Sequence, residues 1–171
     1  HVNVLAPFIL MKELHPLLEK AEEPIIINTA SGLHQGVIFW DDPTFEKTSF
    51  SGFKAYRQSK LAIILLTIYF AKLWQDKIKV VTMHPGVVST NLAKKANWFV
   101  RWIFSLMGKS PEKGAATLIH LAENPSLAKS GGYYVNKKLT QTTTAQSKDM
   151  ETAERLATLL SESLSQTSFR L

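Results

Sequence analysis

Apolar positions along the chain follow two spacings, and each predicts a different kind of element. Apolar residues at helical spacing predict helices over residues 2–20, 53–74, 110–124 and 151–163. Short apolar runs predict buried strands over residues 25–28, 78–83 and 133–136. The intervening segments 33–52 and 137–148 show no sustained period, so we expect them to be loops.

The order of these elements predicts the fold class. Helices and strands alternate from the first helix to the last, which implies an α/β fold with a parallel sheet and helices on its faces. A chain of 171 residues is long enough for one such domain. The residue at which the third helix begins can be predicted, because Ser110 is a suitable N-cap and Pro111 and Glu112 suit the first turn.

The helix predicted over residues 53–74 has an unusual pattern. From Leu61 to Trp74 it is apolar on nearly every face, so we expect it to be buried all round. One sheet cannot cover both sides of a helix. A second helical layer is therefore predicted, most simply from a dimer partner. The longest apolar run, Leu61 to Phe70, is too short to span a bilayer.

Composition excludes several classes of function. The chain has no cysteine, so cysteine nucleophiles, thiolate metal sites and disulfides are ruled out. The formal charge of +6 is spread along the chain, which argues against nucleic-acid binding. His34 and His120 lack partners at metal-ligand spacing, and we expect them at the surface or partly buried; His84 is assigned no role. No signal peptide is evident, so we expect a cytoplasmic protein, with membrane association as the alternative.

Tyr56 and Lys60 are the candidate catalytic pair. Their spacing of four residues places both side chains on one face of a helix. A phenol is a weak acid at neutral pH, but an adjacent ammonium favours the phenolate. The pair is therefore suited to proton transfer in carbonyl–alcohol chemistry. The same spacing also arises by chance in amphipathic helices.

Four short segments occur in a fixed order along the chain. They are Val2-Asn3-Val4-Leu5, Ile27-Asn28-Thr29-Ala30-Ser31, Tyr56-Arg57-Gln58-Ser59-Lys60 and His84-Pro85-Gly86-Val87-Val88-Ser89-Thr90. Together they resemble the short-chain dehydrogenase/reductase family, most closely its retinol-dehydrogenase-like branch. The resemblance implies the C-terminal part of a Rossmann-like, doubly wound parallel sheet, of which three strands are recognisable here.

The resemblance implies a role for each of these positions. Tyr56 would transfer the proton at the substrate oxygen, and Lys60 would favour the phenolate and hold the nicotinamide ribose. Ser31 would hydrogen-bond the substrate oxygen, and Asn3 would hold a water molecule in a proton relay. The contacts to the nicotinamide end of the cofactor would come from Tyr56, Lys60, Pro85, Gly86, Val87, Val88 and Thr90.

Other interpretations of some of these residues stay open. Asn3 could cap a helix, Ser31 could be a turn serine, and Thr90 could be the N-cap of the following helix. The aromatic segment over residues 98–104 could form a lid over an apolar substrate, pack in the core, or contact a membrane surface as a peripheral segment.

The resemblance implies NADP or NAD as the cofactor, with the choice set by residues outside this sequence. The family's glycine-rich dinucleotide loop does not occur in the 171 residues. We therefore expect that roughly the first third of a typical member is not represented. A three-stranded sheet would then expose one edge, and the chain by itself is not expected to bind a dinucleotide well.

Two functions from different classes follow. The first is an NAD(P)-dependent oxidoreductase that interconverts a small apolar alcohol and its carbonyl, acting as a homodimer or homotetramer. The second is a truncated, non-catalytic relic that associates through the helices over residues 1–20 and 53–74. A serine hydrolase is disfavoured because Ser31 lies outside a Gly-x-Ser-x-Gly motif. An epimerase or dehydratase is disfavoured by the resemblance.

Overall fold

The computed structural model describes residues 1–75, 77–86, 110–141 and 144–166. The helices in these ranges are α1 (Leu5–Leu18), α2 (Gly52–Trp74), α3 (Pro111–Glu123) and α4 (Met150–Gln166). The strands are β1 (Ile25–Thr29), β2 (Lys79–His84), β3 (Tyr133–Val135) and β4 (Lys138–Thr140). Every helix expected from the pattern is present, with its ends within three residues of the prediction. The Ser110 cap is confirmed, because its Oγ accepts a hydrogen bond from the Lys113 N–H at 3.4 Å.

The strands form one open sheet in the order β1-β2-β3-β4. The pairs β1–β2 and β2–β3 are parallel, as predicted. The prediction of a plain loop over residues 137–148 is wrong, because β4 returns antiparallel to β3. Asn136 and Lys137 make this hairpin with φ angles of 50° and 65°, as a two-residue turn of this kind requires. Strand β4 is exposed along its length, and Lys138 lies at its start on the edge of the sheet.

Strand β1 is less buried than its apolar sequence predicts. It pairs with β2 on one side, and none of the described segments pairs with it on the other. Its residues are therefore half-buried or exposed, whereas Val80 to Met83 in the interior strand β2 are fully buried. The open edge itself was expected from the sequence.

The second helical layer over α2 is present, and it comes from the same chain. Helix α4 packs against α2, so that Leu156 and Leu65 share one core cluster. Helix α1 adds Phe8, whose ring centroid lies 5.7 Å from that of Phe70. A dimer partner is thus not required to bury α2, and the homodimer stays a prediction. Within the described ranges, no helix combines the length and the apolar character needed to cross a membrane.

Candidate active site

Helix α2 carries the predicted catalytic pair in its first three turns. The helix begins after Ser51, whose Oγ accepts a hydrogen bond from the Lys54 N–H at 3.4 Å. Tyr56 is 39% exposed, and Lys60 Nζ lies 5.7 Å from the centroid of its ring. The two side chains are therefore neighbours, as their spacing predicts.

Lys60 also connects α2 to the sheet. Its Nζ donates a hydrogen bond to the backbone carbonyl of Thr29 at 3.0 Å. Thr29 is the last residue of β1 and lies two residues before Ser31. Burial lowers the pKa of the Lys60 ammonium from its ordinary value of 10.5. The contact thus places the Tyr56–Lys60 pair against the carboxyl end of a parallel strand, where ligands of open α/β sheets bind.

The loop over residues 33–51 is held against α2 by the residues that follow Tyr56. The Arg57 guanidinium donates to the backbone carbonyl of Gln35. Gln58 makes two bonds with its side-chain amide: Oε1 accepts from the Phe39 N–H, and Nε2 donates to the Pro43 carbonyl, both at 2.8 Å. The variable positions of the Tyr-x-x-x-Lys segment therefore fix the loop that leads from Ser31 to Tyr56.

Asp42 organises the same loop from within. Its carboxylate accepts hydrogen bonds from the backbone N–H groups of Glu46, Lys47 and Thr48 at 2.7 to 3.2 Å, and from the Thr48 hydroxyl at 2.8 Å. Burial alone would raise the pKa of this carboxyl, but the hydrogen bonds outweigh it and leave the pKa below the ordinary 3.8. The loop is thus ordered by polar contacts, since it has no periodic element of its own.

Asn3 lies beside the start of α2 and does not cap α1. Its Nδ2 donates to Ser59 Oγ at 3.2 Å, and Ser59 Oγ donates to the Tyr56 carbonyl at 2.8 Å. The N-cap of α1 is Val4, and that end has no side-chain cap, so the capping interpretation of Asn3 is wrong. Asn3, Ser59 and Tyr56 line one cavity of about 330 Å³. Its role in a proton relay stays a prediction.

Ser31 occupies the turn after β1 and is buried, with 8% of its surface exposed. Its Oγ accepts a hydrogen bond from the Leu33 N–H at 3.1 Å, so it does act as a turn serine. Accepting this bond leaves the hydroxyl proton available for donation. Ser31 and Lys60 do not line the cavity that Asn3 shares with Tyr56. The structure therefore places Tyr56 directly beside Lys60, connects it to Asn3 through Ser59, and connects it to Ser31 through Lys60 and the end of β1.

Two histidines bond to the Ser31 turn, and the sequence did not reveal either contact. His34 is only 2% exposed, so the expectation of a surface or partly buried residue is wrong. Its ring is held inside by a 2.7 Å contact from Nδ1 to the Ser31 carbonyl oxygen. His84 Nδ1 lies 3.2 Å from the Gly32 nitrogen and accepts its N–H. His34 is only three residues from Ser31, but no spacing rule predicts that its ring turns inward, and none links His84 to a turn 52 residues earlier.

The end of β2 supplies the described part of the predicted cofactor contacts. Pro85 and Gly86 follow directly after His84. Gly86 has a φ of 84°, a left-handed conformation that glycine adopts without the steric cost of a Cβ. Val87, Val88 and Thr90 lie outside the described residues, as does the aromatic segment 98–104.

The family model for short chain dehydrogenase matches residues 1–99 of the chain. The chain belongs to the short-chain dehydrogenase family. The matched range contains the four predicted catalytic residues, Asn3, Ser31, Tyr56 and Lys60.

Relatives with curated names agree with the resemblance to the retinol-dehydrogenase-like branch of short-chain dehydrogenases. The chain is 32% identical over 152 residues to human polyprenol dehydrogenase, a match that covers 82% of this chain and 46% of the relative. It is 32% identical over 165 residues to human retinol dehydrogenase 13, covering 91% of this chain and 50% of the relative. The chain thus spans about half the length of these relatives.

A solved structure supports the fold. A crystal structure of an uncharacterised protein from Mycobacterium paratuberculosis superposes with a TM-score of 0.61 over 99% of this chain and 59% of its own. At 24% sequence identity, this likeness shows the fold alone. It confirms the partial Rossmann-like α/β fold expected for a short-chain dehydrogenase.

Proposed function

We propose that this short-chain dehydrogenase is an NAD(P)-dependent oxidoreductase that interconverts an alcohol and a carbonyl on an apolar substrate. The observation that carries the proposal is the position of Lys60. Its ammonium lies beside the Tyr56 ring and bonds the last carbonyl of β1. A proton-transfer pair is thereby held at the strand end that precedes Ser31.

The described residues fit the nicotinamide end of a dinucleotide. The Lys60 ammonium can donate to ribose hydroxyls, and Gly86 makes a left-handed turn two residues after the end of β2. When bound, the nicotinamide ring supplies or accepts the hydride. Nothing in the described part of the chain distinguishes NADP from NAD.

The chemistry assigned to the chain is proton transfer and charge stabilisation. When a carbonyl carbon gains a hydride, its oxygen must gain a proton. Tyr56 donates that proton from its hydroxyl, and takes it back when the alcohol is oxidised. The Ser31 hydroxyl donates a hydrogen bond to the same oxygen, where negative charge develops. Lys60 stabilises the phenolate that remains, and Asn3 connects the site to water.

The apolar character of the proposed substrate rests on a second cavity. This cavity of about 380 Å³ shares His1, Val4, Ala55 and Ser59 with the cavity beside Tyr56. Most of its other lining is apolar and includes Ile38, Phe45, Phe50, Leu156, Leu159 and Leu160. A hydrocarbon chain in the second cavity would leave its oxygen-bearing end near Tyr56. The names polyprenol dehydrogenase and retinol dehydrogenase 13 agree with such a substrate class.

A second candidate, association without catalysis, is favoured by one feature of α1. Leu10, Leu14 and Leu17 are exposed at helical spacing on one side of this helix. A second copy of the chain is the partner we propose for this face. In α2, by contrast, residues 61–67, Phe70 and Trp74 are buried within the chain, so these apolar residues do not offer the surface for association that the sequence suggested.

Replacement of Tyr56 tests the proposed function. Tyr56→Phe removes only the hydroxyl, so we expect kcat to fall by about 10² to 10⁴-fold with little change in Tm. The assay uses the full-length protein with NAD(H) or NADP(H) and a panel of apolar alcohols and carbonyls. Tyr69→Phe, on the half-buried outer part of the same helix, is the matched control and should retain activity.

Unchanged turnover in Tyr56→Phe would overturn the mechanism. An inactive wild-type protein that forms oligomers and shows no rise in Tm with either dinucleotide would favour the association candidate instead. Sedimentation velocity on the same samples gives the oligomeric state.

A further inference from the structure

The peptide group that joins Ser31 to Gly32 is bonded by a histidine at each end. His34 Nδ1 lies 2.7 Å from the Ser31 carbonyl oxygen, and the His34 backbone N–H donates to the same oxygen at 3.2 Å. On the other side, the Gly32 N–H donates to His84 Nδ1 at 3.2 Å. The C=O and N–H of one peptide group point in opposite directions, so the two rings hold it from both sides.

The chemistry of the partners decides whether the Nδ1 atom of each ring carries a hydrogen. A carbonyl oxygen only accepts, so His34 carries a hydrogen on Nδ1. A backbone N–H only donates, so His84 Nδ1 is free of hydrogen and the neutral ring carries its proton on Nε2. The two histidines thus use Nδ1 in opposite senses, His34 as a donor and His84 as an acceptor.

Packing restrains the rings in turn. His34 contacts Tyr133 of β3 edge to face, with ring centroids 5.2 Å apart. His84 ends β2, and a Cβ placed on Gly32 would lie 3.3 Å from its Nε2. The turn that carries Ser31 is therefore anchored to β2 through His84 and to β3 through the contact of His34 with Tyr133.

We propose that His34 and His84 are positioning residues for Ser31. By fixing the plane of the peptide group that follows Ser31, they set the direction of its side chain from the backbone. The Leu33 N–H then orients the hydroxyl oxygen at 3.1 Å. This inference rests on the proposed function in one respect, namely that Ser31 donates a hydrogen bond to the substrate oxygen. The hydrogen bonds of the two histidines do not depend on that function.

Asparagine and leucine variants separate positioning from packing. Asparagine places a polar amide atom close to the Nδ1 position, whereas leucine fills similar space with no polar atom. His84→Leu is expected to lower kcat by about ten- to a hundredfold, with KM changed much less. His84→Asn should restore most of kcat, since its Oδ1 accepts the Gly32 N–H. His34→Leu and His34→Asn should behave in the same way, and His120→Leu on α3 is the control with unchanged kcat.

Amide hydrogen exchange and imidazole ¹⁵N NMR on the full-length protein provide a readout that does not need catalysis. Wild type should show slow exchange at Gly32, an Nδ1–H signal for His34 and an Nε2–H signal for His84. Exchange at Gly32 should accelerate in His84→Leu and be slowed again in His84→Asn. If His34→Leu fails to fold, the His84 variants alone test the positioning role.

The outcomes distinguish this inference from the proposed function. Leucine variants that fold and keep wild-type kcat would overturn the positioning role, and so would an asparagine variant no better than leucine. A wild type without turnover would refute the proposed function. In that case, the expected imidazole N–H signals and slow exchange at Gly32 would still show that the two histidines bond the peptide group after Ser31. If neither were observed, these hydrogen bonds would be refuted.

Discussion

The two parts of helix α2 are held in place by different forces. Residues 61–67 are all buried, and Phe70 and Trp74 continue this core toward the C-terminal end. Residues 52–60, by contrast, are exposed or half-buried. This first part is fixed by side-chain hydrogen bonds of Arg57, Gln58, Ser59 and Lys60 with three segments: the loop over residues 33–51, the start of the chain and the end of β1.

The difference shows how one helix can serve both stability and chemistry. The buried part provides a rigid support, because burying apolar surface is the main favourable term in folding. The polar part can then keep Tyr56 open to substrate. Its own hydrogen bonds contribute little net stability each, but they determine where the loop and the strand end lie relative to Tyr56.

Truncation in the buried part is expected to give the largest loss of stability. Leu65 of α2 is fully buried and belongs to the same core cluster as Leu156 of α4. Leu65→Ala leaves a cavity, so the free energy of unfolding should fall by about 2 to 5 kcal/mol. Urea unfolding followed by circular dichroism measures this change.

Leu73→Ala is the matched control on the same helix. Leu73 is 54% exposed, so its truncation should change the free energy of unfolding by no more than about 0.5 kcal/mol. Equal losses at the two positions would show that the buried part of α2 is not the stabilising core.

A smaller effect is expected from Gln58, which holds the loop to the polar part. Gln58→Met keeps the length of the side chain but leaves the Phe39 N–H and the Pro43 carbonyl without this partner. We expect a loss of about 1 to 3 kcal/mol and faster hydrogen exchange at Phe39.

Gln58→Glu provides the comparison for this variant. A carboxylate can still accept from Phe39, but it cannot donate to the Pro43 carbonyl. Exchange at Phe39 should then stay slow while part of the stability is lost. Fast exchange in both variants would contradict the assignment of the Phe39 bond to Oε1.

The sequence predicted what depends on periodicity and on adjacent positions. The helices, the strands β1 to β3, and the contact of Tyr56 with Lys60 all follow from local spacing. Strand β4 was missed because its three residues contain a single apolar side chain, Leu139, which is too little to establish an alternating pattern. A turn with two left-handed residues creates this strand. The burial of His34 depends on Tyr133 of β3, which meets its ring only in the folded sheet. Spacing alone cannot show such contacts.

Tyr133 reports on the burial of the second part of α2, because it packs against Ile63 and Ile64. Burial raises the pKa of Tyr133 to about 12 from an ordinary 10. Between these pH values the unfolded chain loses a proton that the folded chain keeps, so stability should fall as pH rises. Below pH 10 the tyrosine keeps its proton in both states, so its ionisation takes no stability from the folded chain.

Tyr133→Phe keeps the ring and removes this titration. Its stability should match that of the wild type at pH 7 and decline less steeply above pH 10. Urea midpoints from pH 7 to 11.5, with the absorbance difference at 295 nm between the two proteins, measure both effects. Parallel stability curves would mean that water reaches Tyr133. Water would then reach the side of α2 that faces the sheet as well as the part that carries Tyr56. A difference in burial would therefore not explain the difference between the two parts of the helix.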